Sequence, residues 1–325
     1  MKERILSGIR PTGKMHMGNY LGAIANWVRF QEKAECFFMI ADWHVLTTDY
    51  ESHTSIRDMV TELAVDLLAS GVDPDACTLF VQSAVPAHAE LTLILSMITP
   101  LSWLERNPTF KEQIRELQGR ELHTHGFLGY PVLQAADILL YNADSVPVGE
   151  DQLPHIELTR EIVRRFNFIY GELFKEPKSL LTPTPKIPGT DGRKMSKSYN
   201  NCLYLSDTAE VLTEKVMKML TDPARKRRHD PGDPDKCPVF YFHQIFNPGE
   251  VEEIREGCST AAIGCIDCKK KLLAKLIPFM EPIWERRNAL LSDLGAIESI
   301  LDTGKERATQ VATAMLSRVR DTIKI

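Results

Sequence analysis

SGIRPTGKMHMGN, residues 7–19, follows a short apolar run at Arg4–Ser7 and leads into a helical pattern that starts near Gly18. Glycines let the backbone come close to a phosphate, and a helix N-terminus offers oriented N–H donors. The alternative is a plain Gly/Pro connection between strand and helix. The stretch lacks the spacing of a Walker loop. Working outward, Cys36–Ala41 (CFFMIA), Thr78–Gln82 (TLFVQ) and Ser145–Val148 read as further buried strands. Helical patterns separate them, one from His53 to Ser70 with Gly71 as its stop, another from His88 to Ile98. Strands alternating with helices predict a parallel sheet wrapped by helices, a Rossmann-like α/β fold.

From Ser179 to Lys194 prolines, glycines and threonines mark a loop or linker. Beyond it helical periodicity dominates, at Asp207–Leu220 (Asp207 as N-cap, Glu210 three residues on), Lys269–Phe279 and Lys305–Ile323. The chain therefore divides into an α/β domain at 1–190, a loop at 191–200 and a smaller helical domain at 201–304, with residues 305–325 expected to pack back on the first domain. Of its 325 residues 43% are apolar and 26% charged, ordinary for a globular protein. No apolar run approaches the roughly 20 residues of a membrane helix. The beginning, Met1-Lys2-Glu3-Arg4, has no apolar leader, so a cytoplasmic location is expected. A net charge of −5 excludes a globally basic nucleic-acid binder. The local runs Arg225–Arg228 and Lys269–Lys271 are either phosphate contacts or solvated faces.

Lys194-Met195-Ser196-Lys197-Ser198 lies in the linker. Two lysines three apart suit a polyphosphate whose charge grows in a transition state, although an exposed basic linker would look the same. Taken with His16-x-Gly18-Asn19, this KMSKS run is the signature pair of class I aminoacyl-tRNA synthetases. Their separation resembles the compact tryptophan/tyrosine subclass, with no room for a large editing insertion. A third run, GYPVLQAADILLY at 129–141 followed by VPVGEDQLPHIELTR at 146–160, closely resembles bacterial tryptophanyl-tRNA synthetases.

By itself Asp137 is a lone carboxylate in the apolar stretch AADILLY, and the simpler reading puts it on an exposed helix face. The resemblance makes it the ligand of the indole N–H, a donor with no acceptor beside it. Leaving such a buried acceptor unpaired penalises phenylalanine. The resemblance further implies that Tyr130 and Gln152 hold the amino group of tryptophan, with Gln134 and Ile138 beside the indole. Gly149, Glu150 and Asp151 would bind the ATP ribose, Ile187 and Met195 the adenine. Arg10, Pro11, Thr12, His16, Gly18 and Asn19 would meet ATP, with Lys194, Ser196, Lys197 and Ser198 on its phosphates and Lys111 assisting. Arg10, Gln134 and Gln113 depart from many bacterial members. His44 could line the pocket, but an ordinary packed histidine is the simpler reading.

The implied reaction joins L-tryptophan to Mg²⁺-bound ATP and passes it to tRNA(Trp). A symmetric homodimer, with no membrane partner, is implied too. Rival readings are a tyrosyl-tRNA synthetase, a simple nucleotidyltransferase and a non-catalytic paralogue that binds tryptophan or RNA.

Seven cysteines argue against a disulfide framework. Cys36, Cys77 and Cys202 read as core residues. Cys237, Cys258, Cys265 and Cys268 form C-x₂₀-C-x₆-C-x₂-C, whose spacing alone leaves Zn²⁺, an iron–sulfur cluster and unliganded thiols all open. The flanks GCSTAAIGCIDCKK are similar to a subset of the family with a [4Fe-4S] cluster, which the resemblance therefore favours. Its expected role is structural, supporting an anticodon-reading surface.

Overall fold

The computed structural model describes residues 2–51, 55–108, 123–181 and 186–325. Five parallel strands, β1 (Arg4–Ile9), β2 (Glu35–Ile40), β3 (Thr78–Val81), β4 (Ser145–Val148) and β5 (Lys178–Leu181), lie in the order β3-β2-β1-β4-β5. β1 pairs along its full length with β2, from Arg4 opposite Glu35 to Ile9 opposite Ile40. Chain order reverses between β1 and β4, and the crevice beyond the strand ends at such a point is where open α/β sheets bind ligands. β5 falls at the start of the stretch read as linker. Its residues are half-exposed at the sheet edge, so it lacks the apolar signature of the inner strands.

The two faces of β2 sort strictly by pleat. Cys36, Phe38 and Ile40 point into one core, Phe37 and Met39 into the other. Sheets covered on both faces need such continuous apolar runs. The first face packs Trp27 flat against Phe38, ring centroids 4.4 Å apart, and its core runs on without a break into Leu272, Leu276, Met280 and Ile283 of the helix Cys265–Ser292. The second face is covered by the helices Ala87–Ile98, His125–Leu140 and Leu153–Tyr170, and by Leu294–Ile323 at the end of the chain. That last helix returns to the sheet, touching it so closely at Gly304 that an added Cβ would sit 1.7 Å from the Leu79 carbonyl oxygen. The helical region follows the α/β part as expected, but the two share one of the protein's cores.

Helix ends mostly follow the signals in the sequence. Ile56–Ala69 ends before Gly71, whose φ of +101° supplies the left-handed turn. One cap differs. Thr208, rather than Asp207, caps Ala209–Lys218 by accepting the Val211 N–H. Asp207 instead accepts from the Tyr204 N–H at 2.8 Å and from Lys215 Nζ at 2.6 Å, work that a paired carboxylate does better than a neutral hydroxyl. Cys36, Cys77 and Cys202 are buried free thiols. Among the described residues no helix is long and apolar enough to cross a membrane.

Candidate active site

At the switch point between β1 and β4 lies a cavity of about 440 Å³. That is within the range of ligand sites. Its floor comes from β1 and the turn after it (Ser7 to Arg10), its sides from Val146 to Gly149 and from the helix His125–Leu140. Of the residues singled out in the sequence, Arg10, Asn19, Tyr130, Gln134, Asp137, Ile138, Gly149 and Gln152 line it.

Asp137 is only 2% exposed, so the exposed-face reading of this residue falls. Its Oδ2 lies 2.8 Å from His44 Nε2. Its Oδ1 accepts from Gln82 Nε2 at 2.8 Å and from His88 Nδ1 at 2.6 Å. His88 is fully buried, and its other nitrogen meets the Tyr141 hydroxyl at 2.8 Å. Burial alone would push the Asp137 carboxyl up. The hydrogen bonds from His44 and His88 outweigh it and hold the group at about 2. His44 is thus a partner of Asp137 at the cavity wall rather than ordinary packing. Gln82, His88 and Tyr141 were missed, although Gln82 and His88 stand in the apolar run TLFVQSAVPAH, the same signal that drew attention to Asp137. Next to them the Tyr130 hydroxyl lies 3.1 Å from His155 Nε2, and His155 Nδ1 lies 3.0 Å from Asn107 Nδ2. Burial drives His155 down to about 4 and Tyr130 up to about 12, so both are neutral near pH 7.

The other end of the site is the turn at His16. His16 Nδ1 accepts the Asn19 N–H at 3.2 Å, and Asn19 Oδ1 in turn accepts the His16 N–H at 3.3 Å, a reciprocal cap. Burial, then the charges of Lys197 and Lys194, lower His16 to about 4. The ring is therefore neutral, with its proton on Nε2 because Nδ1 accepts. Gly18 is required by the cap. An added Cβ would lie 2.9 Å from His16 Nδ1.

The KMSKS run folds onto this turn. Lys197 Nζ donates to the Thr12 carbonyl at 2.9 Å and to Thr12 Oγ1 at 3.2 Å. Just beyond it, Leu203–Leu205 pairs with the turn through Met17 N–H to Leu203 O at 2.8 Å and Leu205 N–H to Met15 O at 3.0 Å. Asn201, buried and absent from the sequence reading, holds the loop together. It accepts from Ser196 N–H and donates to Asp191 Oδ1 and the Lys194 carbonyl. Lys194 and Ser198 are exposed. Ile187 and Met195 are joined by a backbone bond of 2.9 Å and buried in the core, where neither lines the cavity. Pro11, Thr12, His16, Gly18, Glu150, Asp151, Ser196 and Lys197 also lie outside the cavity wall. Lys111 and Gln113 lie outside the described residues.

The four clustered cysteines are free thiols in one neighbourhood of the helical region. Burial raises Cys268 to about 12, and the charges of Cys237, Cys258 and Cys265 add to it. Arg225 Nη1 lies 3.8 Å from Cys258 Sγ, and His243 Nε2 lies 3.4 Å from Cys268 Sγ. Among the described residues, however, no three His, Cys, Asp or Glu side chains come together in an arrangement that holds a metal ion. The donor chemistry suits a thiolate-bound group, but the geometry of one is not formed. The lysine run beside it also departs from expectation. Lys269 is buried and donates to the Met217 and Met219 carbonyls at 2.8 and 2.6 Å, capping the end of Ala209–Lys218, and Lys271 is paired with Glu250 and Glu253. Arg225 and Arg228 bind carbonyls of Ile263, Ala261 and Ala262, so they brace the Cys258–Cys265 loop.

Residues 2–281 match the family model of class I tRNA synthetases for tryptophan and tyrosine. The chain is 51% identical to the tryptophan–tRNA ligase of Thermotoga maritima over 320 residues, covering 98% of each. It is 45% identical to that of Aquifex aeolicus, covering 99% of this chain and 100% of the relative. Among solved structures, tryptophanyl-tRNA synthetase from Campylobacter jejuni, complexed with ADP and tryptophan, superposes with a TM-score of 0.89 at 32% identity, covering 99% of this chain and 100% of that one.

Proposed function

The chain belongs to the class I tRNA synthetases for tryptophan and tyrosine and is an enzyme, a tryptophan–tRNA ligase; we propose that the cavity at the β1/β4 switch point carries out the activation step with the residues as follows. The observation that carries this reading is the meeting of the His16 turn and the KMSKS loop at Thr12, next to a cavity that Arg10 and Asn19 of the same stretch line together with Asp137.

A carboxylate offers about four lone-pair sites. At Asp137 His88 and Gln82 take those of Oδ1, and His44 takes one at Oδ2. The remaining site, at the cavity wall, suits a single donor such as the indole N–H. Gln134 and Ile138 flank the ring, while Tyr130 and Gln152 meet the ammonium group. ATP, bringing Mg²⁺, lies along the His16 turn. Arg10, Pro11, Thr12, Gly18 and Asn19 hold its phosphates and Gly149, Glu150 and Asp151 its ribose. The neutral His16 ring donates Nε2–H to a phosphate oxygen. The tryptophan carboxylate attacks the α-phosphorus and pyrophosphate leaves, its charge met by Lys194 and Lys197, with Ser196 and Ser198 beside them. No covalent enzyme intermediate is needed, so positioning and electrostatics carry the step. The terminal adenosine of tRNA(Trp) then takes the aminoacyl group from the adenylate. Ile187 and Met195 support the loop from the core, and adenine contact through their backbone remains part of this reading. Tryptophan-dependent pyrophosphate exchange tests the whole. Exchange supported by tyrosine instead of tryptophan would overturn it.

The helical region, residues 201–304, is read as the anticodon-binding part, set apart from the catalytic part at 1–190 by the loop at 191–200. Cys237, Cys258, Cys265 and Cys268 are read as ligands of a structural [4Fe-4S] cluster, with Zn²⁺ as the alternative. The likeness of the flanks GCSTAAIGCIDCKK to the cluster-bearing subset and the common neighbourhood of the four thiols support this. An absorbance spectrum of anaerobically purified protein, with metal analysis, decides it, and thiols without metal would refute it. A homodimer in the cytoplasm completes the reading. The dimer is supported by Leu93 and Leu101, which are 58% and 64% exposed around a second, apolar cavity, and by Met97, 73% exposed on the same helix as Leu93, and light scattering tests it.

A further inference from the structure

One buried ion pair lies outside the residues given a role above. Asp66, on the helix Ile56–Ala69, is wholly buried, and its Oδ1 accepts from Arg287 Nε at 2.8 Å. Arg287 belongs to the helix Cys265–Ser292 of the helical region and also pairs with Glu62. The neighbouring Arg286 donates to the Ala69 carbonyl at 2.7 Å. The second oxygen of Asp66 accepts the Met15 backbone N–H at 2.8 Å.

Met15 is the residue before His16, and its carbonyl holds Leu205, just past the KMSKS loop. The charge of Asp66 also reaches Lys197. A continuous path of short bonds thus runs from the helical region to the phosphate-facing turn. A carboxylate spent only on bracing two helices would have no reason to aim one oxygen at a backbone amide of that turn. Buried charges are costly unless fully paired, and this one is paired on both sides.

We propose that Asp66 and Arg287 are positioning residues for ATP. The helical region, through Arg287, fixes Asp66, and Asp66 fixes the place of Met15 and so of His16 and Lys197. The inference rests on the reading of the His16 turn as the nucleotide site.

Pyrophosphate exchange with the full chain tests it, with ATP and tryptophan varied separately. In Asp66→Asn the amide still accepts the Met15 N–H but loses its charge toward Arg287. KM for ATP then rises about tenfold while KM for tryptophan stays within about twofold, since small misplacement near the reacting groups is costly in rate and affinity. Arg287→Lys keeps a cation without the fork and gives a smaller rise, about threefold, with the same selectivity. A mere brace would lower the active fraction and the melting temperature while moving neither KM. Equal rises in both KM values, or no rise in either, overturn the proposal. If Asp66→Asn does not fold, Arg287→Lys is judged by the same criteria. His16→Ala is the control. If it raises KM for ATP while the Asp66 and Arg287 variants do not, the positioning role fails alone. If it leaves KM for ATP unchanged, the nucleotide reading fails, and the positioning role with it.

Discussion

The Asp137 cluster in the cavity wall and the His16 turn beside it are built on opposite plans. In the cluster proposed to take tryptophan, Asp137 is held by three donors, two of them from fully buried side chains, on helices packed into the second core. In the turn proposed to take the nucleotide, His16 bonds within its own turn, and the lysines come from a loop far downstream, one of them exposed. The first is set before any substrate arrives. The second depends on two segments staying together. Selectivity for an amino acid calls for fixed complementarity, whereas stabilising a leaving pyrophosphate calls for cations that can close on it.

Asp137→Ala should break the contrast most severely. It leaves His44, His88 and Gln82 without their acceptor, costing about 3–5 kcal/mol of stability. It should also cut tryptophan activation by at least about 10³, read by pyrophosphate exchange and urea unfolding. Retained selectivity for tryptophan over phenylalanine in this variant would sink the role given to the carboxylate. Lys197→Ala should act on the His16 turn alone. It should lower kcat by about 10²–10³ with little change in KM for tryptophan and little loss of stability.

Acid should undo the two in sequence. His16, ordinarily near 6.5, titrates at about 4 in the fold. The unfolded chain therefore binds this proton first, and the stability His16 contributes is whole above pH 6.5 and fades as pH falls toward 4, by about 3 kcal/mol. His155 behaves in the same way over the same window. Asp137, held near 2 against an ordinary 3.8, contributes stability above pH 3.8 that is lost only as pH falls toward 2. Urea unfolding at stepped pH should show His16→Gln with a shallower slope between pH 6.5 and 4 and an unchanged slope below. An unchanged slope throughout would mean that the His16 ring is not desolvated. A smaller effect than that of Lys197→Ala is expected for Gly18→Ala. Displacing the His16 ring from its cap should raise KM for ATP by about tenfold and leave KM for tryptophan alone.

The inner strands were legible because both faces of the sheet are buried, so CFFMI and TLFV carry no polar interruption. β5 was not, because an edge strand is half wet and lay at the start of a stretch that read as linker. The glycine-bearing turn at His16 and the KMSKS run were legible as local patterns. Asn201 and Asp66 were not, because one asparagine or one aspartate carries no periodicity, and its role exists only where another segment's amide is brought to it. The lysine run misled for a related reason. Composition records charge, but not that Lys269 is turned inward onto two carbonyls.

By itself the sequence determined the α/β class, the helical region and the two short motifs at His16 and Lys194–Ser198. Each is a short-range signal, written in apolar spacing, glycine position or adjacent cations. The tertiary structure alone decided that Asp137 is inside, which histidines hold it, and that the helical region reaches the His16 turn through Arg287 and Asp66. Those outcomes depend on contacts between residues distant in the chain, whose free energy exists only once the sheet and its covering helices have closed.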